Sequence, residues 1–161
     1  MAILKILQDG DDGLRKKSKP VEKINRRILI LLEDMRETLT EANGYGLAAP
    51  QVGVLRRVAI IITEEGELIE MINPELIYVE GKQNEIESCL SSPEIFAVTD
   101  RPAAATVRYM NRDGESVEKT GTGIMARGFC HEIDHLNGIM CFDKAVRVMD
   151  REEAQRMAEE K

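Results

Sequence analysis

The sequence has no tryptophan and only three tyrosines and three phenylalanines among its 161 residues. The core must therefore be built mainly from Ile, Leu, Val and Met. It also lacks any apolar run long enough to span a bilayer. Its opening segment, residues 1–8, is too short for a signal peptide and has no small-residue cleavage site. These absences argue against a membrane partner and predict a location in the cytoplasm.

Neither positive charge nor cysteine is abundant. The chain has 22 Lys and Arg against 29 Asp and Glu, which gives a formal net charge of −7. An acidic surface repels phosphate, so a direct nucleic-acid partner is not expected. The three cysteines form an odd set, which is typical of reduced thiols or metal ligands inside the cell; they are Cys89, Cys130 and Cys141.

Aliphatic and charged residues are abundant, in proportions typical of a soluble globular protein. Apolar residues make up 43% of the chain and charged residues 32%, which argues against long disordered segments. No repeat, linker or low-complexity tract divides the chain. Its length favours a single domain over residues 1–161 with one buried core.

Apolar residues at helical spacing predict two helices, and capping residues predict a third. The first covers residues 24–42 and ends at Asn43-Gly44, because both residues tolerate a left-handed backbone. The second covers residues 124–136 and ends at Asn137-Gly138. The third runs from residue 150 to the chain end, with Asp150 as its cap and Glu153 in the third helical position.

β-Branched runs and turn residues predict the strands. Residues 58–62 form a buried strand that pairs with residues 68–72, and residues 106–110 and 115–119 flank Asp113-Gly114, a strong hairpin signal. Residues 44–53 and 87–91 are expected to be loops. Helices mixed with hairpins indicate an α+β fold.

The most informative stretch is His131-Glu132-Ile133-Asp134-His135. Two histidines four residues apart lie on one helix face and can bind a single metal ion. They are the only histidines in the chain, which makes an accidental pairing on a solvated helix a poor explanation. Glu132 need not bind the metal and can instead accept a proton from the attacking water.

A catalytic metal site normally has three protein ligands and one open position. Asp134 points away from the pair, and Cys130, adjacent to His131, diverges from it by about 100° on a helix. A carboxylate or a cysteine from another segment must therefore complete the set, and Cys89 is a candidate as a thiolate. Taken alone, Cys89 is better explained as a small buried hydrophobic residue than as a ligand.

Three segments together resemble the motifs of peptide deformylases, in the family's order and with similar spacing. They are Gly44-Tyr45-Gly46-Leu47-Ala48-Ala49-Pro50-Gln51, Glu87-Ser88-Cys89-Leu90-Ser91 and the His131–His135 stretch. The resemblance extends over about residues 3–148. It predicts an α+β fold in which antiparallel strands pack around a central metal-binding helix, with an N-terminal and a C-terminal helix on either side.

Two positions depart from the family pattern. Ser88 replaces the usual glycine beside the cysteine, so strain in that segment is expected if the position requires a glycine conformation. Cys130 stands where the family usually has glutamine. Neither change removes a predicted ligand or Glu132, but Ser88 motivates an alternative function, namely a protein that binds formyl-methionine ends and turns over slowly.

The resemblance implies a hydrolase that removes the formyl group from the N-terminal formyl-methionine of newly made proteins. It implies one divalent transition metal, iron(II) with zinc as the alternative, and a possible contact with the ribosome. A zinc peptidase is the other alternative. The residues implied are Cys89, His131 and His135 as metal ligands; Glu132, Gln51 and the backbone N–H of Leu90 in catalysis; and Gly46, Tyr45, Ile124 and Gly128 in substrate binding.

Overall fold

The computed structural model describes residues 2–160, which form three helices and eight strands. The helices are α1 (Arg26–Ala42), α2 (Ile124–Leu136) and α3 (Arg151–Glu159). The strands are β1 (Gly46–Ala48), β2 (Val58–Ile62), β3 (Leu68–Glu80), β4 (Gln83–Cys89), β5 (Ser92–Arg101), β6 (Ala104–Met110), β7 (Ser116–Thr122) and β8 (Ala145–Met149). In that part of the chain no helix is both long and apolar enough to cross a membrane.

Helix α1 begins two residues later than predicted. The side chain of Asn25 accepts a hydrogen bond from the backbone N–H of Ile28 and so caps the first turn. At the other end Asn43 adopts the predicted left-handed conformation, with φ of 55°. The apolar face predicted from the spacing is buried as one stripe, formed by Ile28, Leu31, Leu32, Met35 and Leu39.

A five-stranded antiparallel sheet has the order β1-β2-β3-β6-β7. The predicted pairing of β2 with β3 is confirmed, with Val58 opposite Ile72. Strand β3 is longer than predicted, because its second half continues past the β2 partner and pairs with β6. The predicted hairpin is confirmed as β6-β7, and Gly114 in its turn has φ of 80°.

The expectation of an irregular loop over residues 44–53 was wrong in part. Residues Gly46–Ala48 form the edge strand β1, and a short 3₁₀ helix follows over Ala49–Val52. Leu47 and Ala48 are fully buried on this strand. The segment is therefore anchored to the sheet rather than free at the surface.

A second antiparallel sheet has the order β4-β5-β8. Residues 87–91 were expected to be a loop, but Glu87, Ser88 and Cys89 lie on strand β4, and only Leu90 and Ser91 form the turn into β5. Cys89 pairs directly with Ser92 across this turn. The position of Cys89 is thus fixed by a hairpin.

Helix α2 packs between the two sheets and is buried on nearly every side, which confirms the predicted central helix. Phe129 and Leu136 are fully buried against apolar residues of the five-stranded sheet, and burying a side chain of this size stabilises a fold by about 1.5–3 kcal/mol. The opposite face carries buried polar groups toward β4 and β5. The helix ends at Asn137, and Gly138 follows with φ of 76°.

Helix α3 packs on the smaller sheet at the C-terminal end. As predicted, the Asp150 side chain accepts a hydrogen bond of 2.8 Å from the backbone N–H of Glu153. The apolar contacts of the helix with this sheet include Ala154, Val98 and Met149. Lys161, to which the prediction extended the helix, lies outside the described residues.

Candidate active site

Three predicted ligands from distant parts of the chain converge at one point. Nε2 of His135 lies 3.2 Å from Sγ of Cys89 and 3.1 Å from Nε2 of His131. All three donor atoms lie within 4.8 Å of one another. Cys89 arrives at the end of β4, and the two histidines lie one turn apart on α2.

The donor set fits a divalent transition metal. Bound zinc lies about 2.0–2.1 Å from imidazole nitrogen, so two such nitrogens on a tetrahedral ion are about 3.4 Å apart; the two Nε2 atoms here are 3.1 Å apart. One thiolate and two imidazoles suit iron or zinc rather than calcium or magnesium. Only small adjustments of these side chains would be needed to hold such an ion.

A carboxylate behind His131 orients its ring. Oε1 of Glu87 lies 2.8 Å from Nδ1 of His131. Burial opposes ionisation of Glu87, but the hydrogen bonds to His131 and Arg101 outweigh it and lower the pKa of this carboxyl to about 2. An ionised carboxylate can only accept, so Nδ1 of His131 donates to Glu87, and Nε2 is the ring nitrogen left to bind a metal.

Arg101 links the Glu87 carboxylate to helix α2 through Asp134. Its guanidinium donates two hydrogen bonds to Glu87, of 2.8 and 3.0 Å, and a third of 2.6 Å to Asp134. Asp134 also accepts one from Lys144 at 3.1 Å. The prediction that Asp134 points away from the metal is consistent with these contacts. The part played by Arg101 was not predicted.

The other two cysteines lie outside the cluster. Cys130 packs beside Ala105 and Ala126, and Cys141 is buried with Leu14 and Met140. Burial raises the pKa of both thiols, that of Cys141 to about 11. These thiols are therefore protonated and apolar in character near neutral pH.

Glu132 faces the same cavity as the predicted ligands and is almost completely buried. It is 3% exposed, and its Oε1 has no hydrogen-bond partner in the described part of the chain. Burial raises the pKa of this carboxyl to about 7. Such a group can both accept and release a proton near neutral pH.

Gly46 lies directly against this carboxyl group. A Cβ atom built on Gly46 would be 2.5 Å from Oε2 of Glu132 and 3.0 Å from its Cδ. No side chain fits at this position unless Glu132 moves. A side chain at position 46 would thus meet Glu132 first, and the sequence pattern gave no sign of this.

Gln51 is 1% exposed and its side-chain amide points toward the cluster. Its Oε1 accepts a 2.9 Å hydrogen bond from the backbone N–H of Ala48. Its Nε2 donates to Oγ of Ser91 at 3.1 Å and approaches Sγ of Cys89 at 3.5 Å. Gln51 is therefore a fixed donor beside the predicted ligands.

Ser88 causes no backbone strain. It lies exposed on strand β4, and among the non-glycine residues the structure describes, only Asn43 and Asn73 have positive φ. Position 88 does not require a glycine conformation in this chain. The condition under which strain was expected is therefore not met, because the backbone here is ordinary extended strand.

A cavity of about 550 Å³ opens over the cluster. All four residues predicted to bind substrate line it, namely Tyr45, Gly46, Ile124 and Gly128, together with Gln51, Leu90 and Glu132. Tyr45 is 69% exposed and lies at the rim. Sequence reasoning missed Ile86, Phe96 and Arg127, which also line the cavity; only the position of Arg127, one helical turn before His131, could have indicated it.

Comparison with known proteins yields matches over nearly the whole chain. A sequence profile of the polypeptide deformylase family matches residues 3–151. A peptide deformylase of Thermoanaerobacter pseudethanolicus is 48% identical over 159 residues, covering 99% of both chains. The crystal structure of peptide deformylase from Thermotoga maritima superposes with a TM-score of 0.86 at 38% identity, covering 90% of this chain and 99% of that one. A Met-Ala-Ser-bound class I type b peptide deformylase from Acinetobacter baumannii has a TM-score of 0.83 at 31% identity, covering 88% and 98%.

Proposed function

The chain belongs to the polypeptide deformylase family, and we propose that its cavity hydrolyses the formamide bond of N-terminal formyl-methionine on newly synthesised proteins. The observation that supports this proposal most strongly is the convergence of one thiol and two imidazoles beside a buried carboxyl group of raised pKa. We take residues 1–161 as one catalytic domain. Cys89, His131 and His135 would hold the metal, iron(II) in our proposal with zinc as the alternative.

A metal bound by these three residues would lower the pKa of water and supply hydroxide near neutral pH. Glu132 accepts the proton of the attacking water at its carboxylate and later delivers it to the leaving amine. The second transfer matters because an amide nitrogen leaves poorly unless it is protonated. The pKa of Glu132 near 7 suits both directions of transfer.

Two donors stabilise the charge that develops on the formyl oxygen. They are the side-chain amide of Gln51 and the backbone N–H of Leu90, both on segments that line the cavity. Fixed donors of this kind act without reorganising during the reaction, and removing one typically lowers the rate by about 10²–10³. The burial of Gln51 and its two other hydrogen bonds support this role.

The methionine side chain occupies the apolar part of the cavity beside Ile124 and Gly128, with Tyr45 at the rim. Gly46, which bears no side chain, leaves room for both Glu132 and the substrate backbone. The partners are therefore nascent peptides that begin with formyl-methionine. Contact with the ribosome and a cytoplasmic location follow as further proposals from this substrate.

The two alternatives have less support. A slow formyl-methionine-binding protein was motivated by Ser88, whose backbone is unstrained. A zinc peptidase of this helix type would take its third ligand from a later Glu or His, whereas the donor that joins the two histidines here is the earlier Cys89. Both alternatives nevertheless make distinct experimental predictions.

The test is to load the purified protein anaerobically with iron(II) and offer it formyl-Met-Ala-Ser and Met-Ala-Ser in parallel. We expect release of formate from the first peptide and no cleavage of the second. Cleavage of an internal peptide bond without formate release would favour the peptidase. Tight binding of the formylated peptide without turnover would favour the slow binding protein, and revival by Ser88→Gly would add to that interpretation.

A further inference from the structure

The side-chain amide of Gln51 has a hydrogen-bond arrangement whose orientation is fixed by chemistry. A backbone N–H can only donate, so the atom 2.9 Å from the nitrogen of Ala48 must be the amide oxygen. The amide nitrogen of Gln51 therefore faces Ser91 and Cys89. It carries two hydrogens and meets two acceptors there.

The two acceptors are unequal. Oγ of Ser91 lies 3.1 Å from Nε2 of Gln51, an ordinary hydrogen bond, whereas Sγ of Cys89 is a weak acceptor at 3.5 Å. Only the contact with the sulfur can be broken at little cost in free energy. The hydrogen that makes this contact also points into the ligand cluster, where a formyl oxygen would have to lie.

We propose that Ser91 is a positioning residue, which retains one hydrogen of the Gln51 amide so that the other is aimed at the oxygen of the reacting formyl group. The proposal rests on the proposed function. Without the serine hydroxyl, a buried amide N–H of Gln51 would lose its hydrogen-bond partner. The amide would then turn toward Cys89 or rock between positions, and the donor would be misaligned during the reaction.

The backbone around Ser91 is built to keep this distance constant. The N-terminal segment is bonded to the backbone of both residues. The N–H of Leu7 donates to the carbonyl of Gln51 at 2.7 Å, and the N–H of Asp9 donates to the carbonyl of Ser91 at 2.8 Å. Both Gln51 and Ser91 are almost completely buried. The packed protein therefore sets the distance between the two side chains.

The chain supplies a matched control in the next residue. Ser92 is also buried, but its hydroxyl has no hydrogen-bond partner within residues 2–160. Ser91→Ala and Ser92→Ala each remove one buried oxygen from the same hairpin. Only the first removes a hydrogen bond to Gln51.

The experiment measures kcat and KM on formyl-Met-Ala-Ser for the parent, both serine variants, Gln51→Ala and the double variant Ser91→Ala/Gln51→Ala. We expect Ser91→Ala to lower kcat about tenfold, less than the 10²–10³ expected from losing the donor itself. KM and metal content should stay near parent values, as should kcat of Ser92→Ala. In the Gln51→Ala background the serine change should lower kcat by less than about twofold, since residues that act through one another are not additive.

A second readout does not depend on turnover. In the zinc-loaded protein, the two Gln51 amide hydrogens should exchange slowly with water in the parent and in Ser92→Ala. In Ser91→Ala their NMR signals should shift, and the two hydrogens should exchange with water at least about tenfold faster. A parent that releases no formate would refute the proposed function while this arm still tests the fixed amide. Unchanged amide signals in Ser91→Ala, or additive losses in the double variant, would overturn the positioning role.

Discussion

Replacing Gly46 by alanine tests the site through a residue that donates no atom to the chemistry. The position lies on strand β1 opposite Ile61 and does not have positive φ, so alanine suits the backbone. The new methyl group would lie 2.5 Å from Oε2 of Glu132, against an ordinary contact distance of at least 3.4 Å. The carboxyl group must therefore move by the difference, 3.4 − 2.5, or about 1 Å.

That displacement sets the size of the expected effect. A 1 Å misplacement of a reacting group lowers a rate by about 10²-fold, and general acid–base catalysis as a whole contributes about 10²–10⁴. We therefore expect Gly46→Ala to lower kcat by about 10²-fold. Metal content should not change, because the clash involves Glu132 rather than Cys89, His131 or His135.

The assay is formate release from formyl-Met-Ala-Ser, with metal analysis and thermal unfolding of the same preparations. Gly128→Ala gives the contrast, since its methyl group would meet Cδ1 of Ile61 at 3.5 Å, an ordinary contact. In a helix interior alanine is favoured over glycine by about 0.8–1 kcal/mol, so this variant should unfold at a higher temperature and change KM more than kcat. A Gly46→Ala enzyme with parental kcat would refute the assigned position of Glu132.

Three further substitutions separate the remaining roles. Cys89→Ala should lose metal and activity together, as metal analysis beside the formate assay would reveal; activity retained without the thiol would exclude it as a ligand. Glu132→Gln should keep the metal and lose hydrolysis, because only the proton carrier is gone; a metal-free variant would contradict that role. Glu87→Gln should weaken metal affinity by about 10–100-fold in a chelator competition, since it removes the ionic partner of His131, and unchanged affinity would show that the ring needs no orienting carboxylate.

The sequence predicted the helices well because each carries its own local signals. The apolar stripe of α1 and the cap Asp150 of α3 are read within a few residues, and α2 has the predicted bounds. Strands β4 and β5 were missed. Strand β4 is a polar edge strand with an exposed Ser88, and Pro93 lies near the start of β5, so neither shows the alternating apolar pattern of a half-buried strand.

The site was predicted unevenly for a similar reason. Spacing alone paired His131 with His135, whereas only the family resemblance joined Cys89 to them across more than forty residues. The contacts that the predicted site residues make with other side chains were not predicted at all. Arg101 bridges Glu87 and Asp134 from a third segment, and the carboxyl group of Glu132 takes the space that a side chain at Gly46 would need. Such contacts are fixed by packing and carry no local sequence signal.

The division of the site between two sheets has a consequence for how the enzyme matures. Cys89 and Glu87 belong to the smaller sheet, whereas the histidines lie on helix α2, whose apolar face packs against the larger sheet. The complete donor set therefore comes into being only when these two halves dock, and an unfolded chain offers no comparable site. Folding should therefore precede metal uptake, so the species that takes up the proposed metal is an already assembled apoprotein, and the bound ion would then link its two halves.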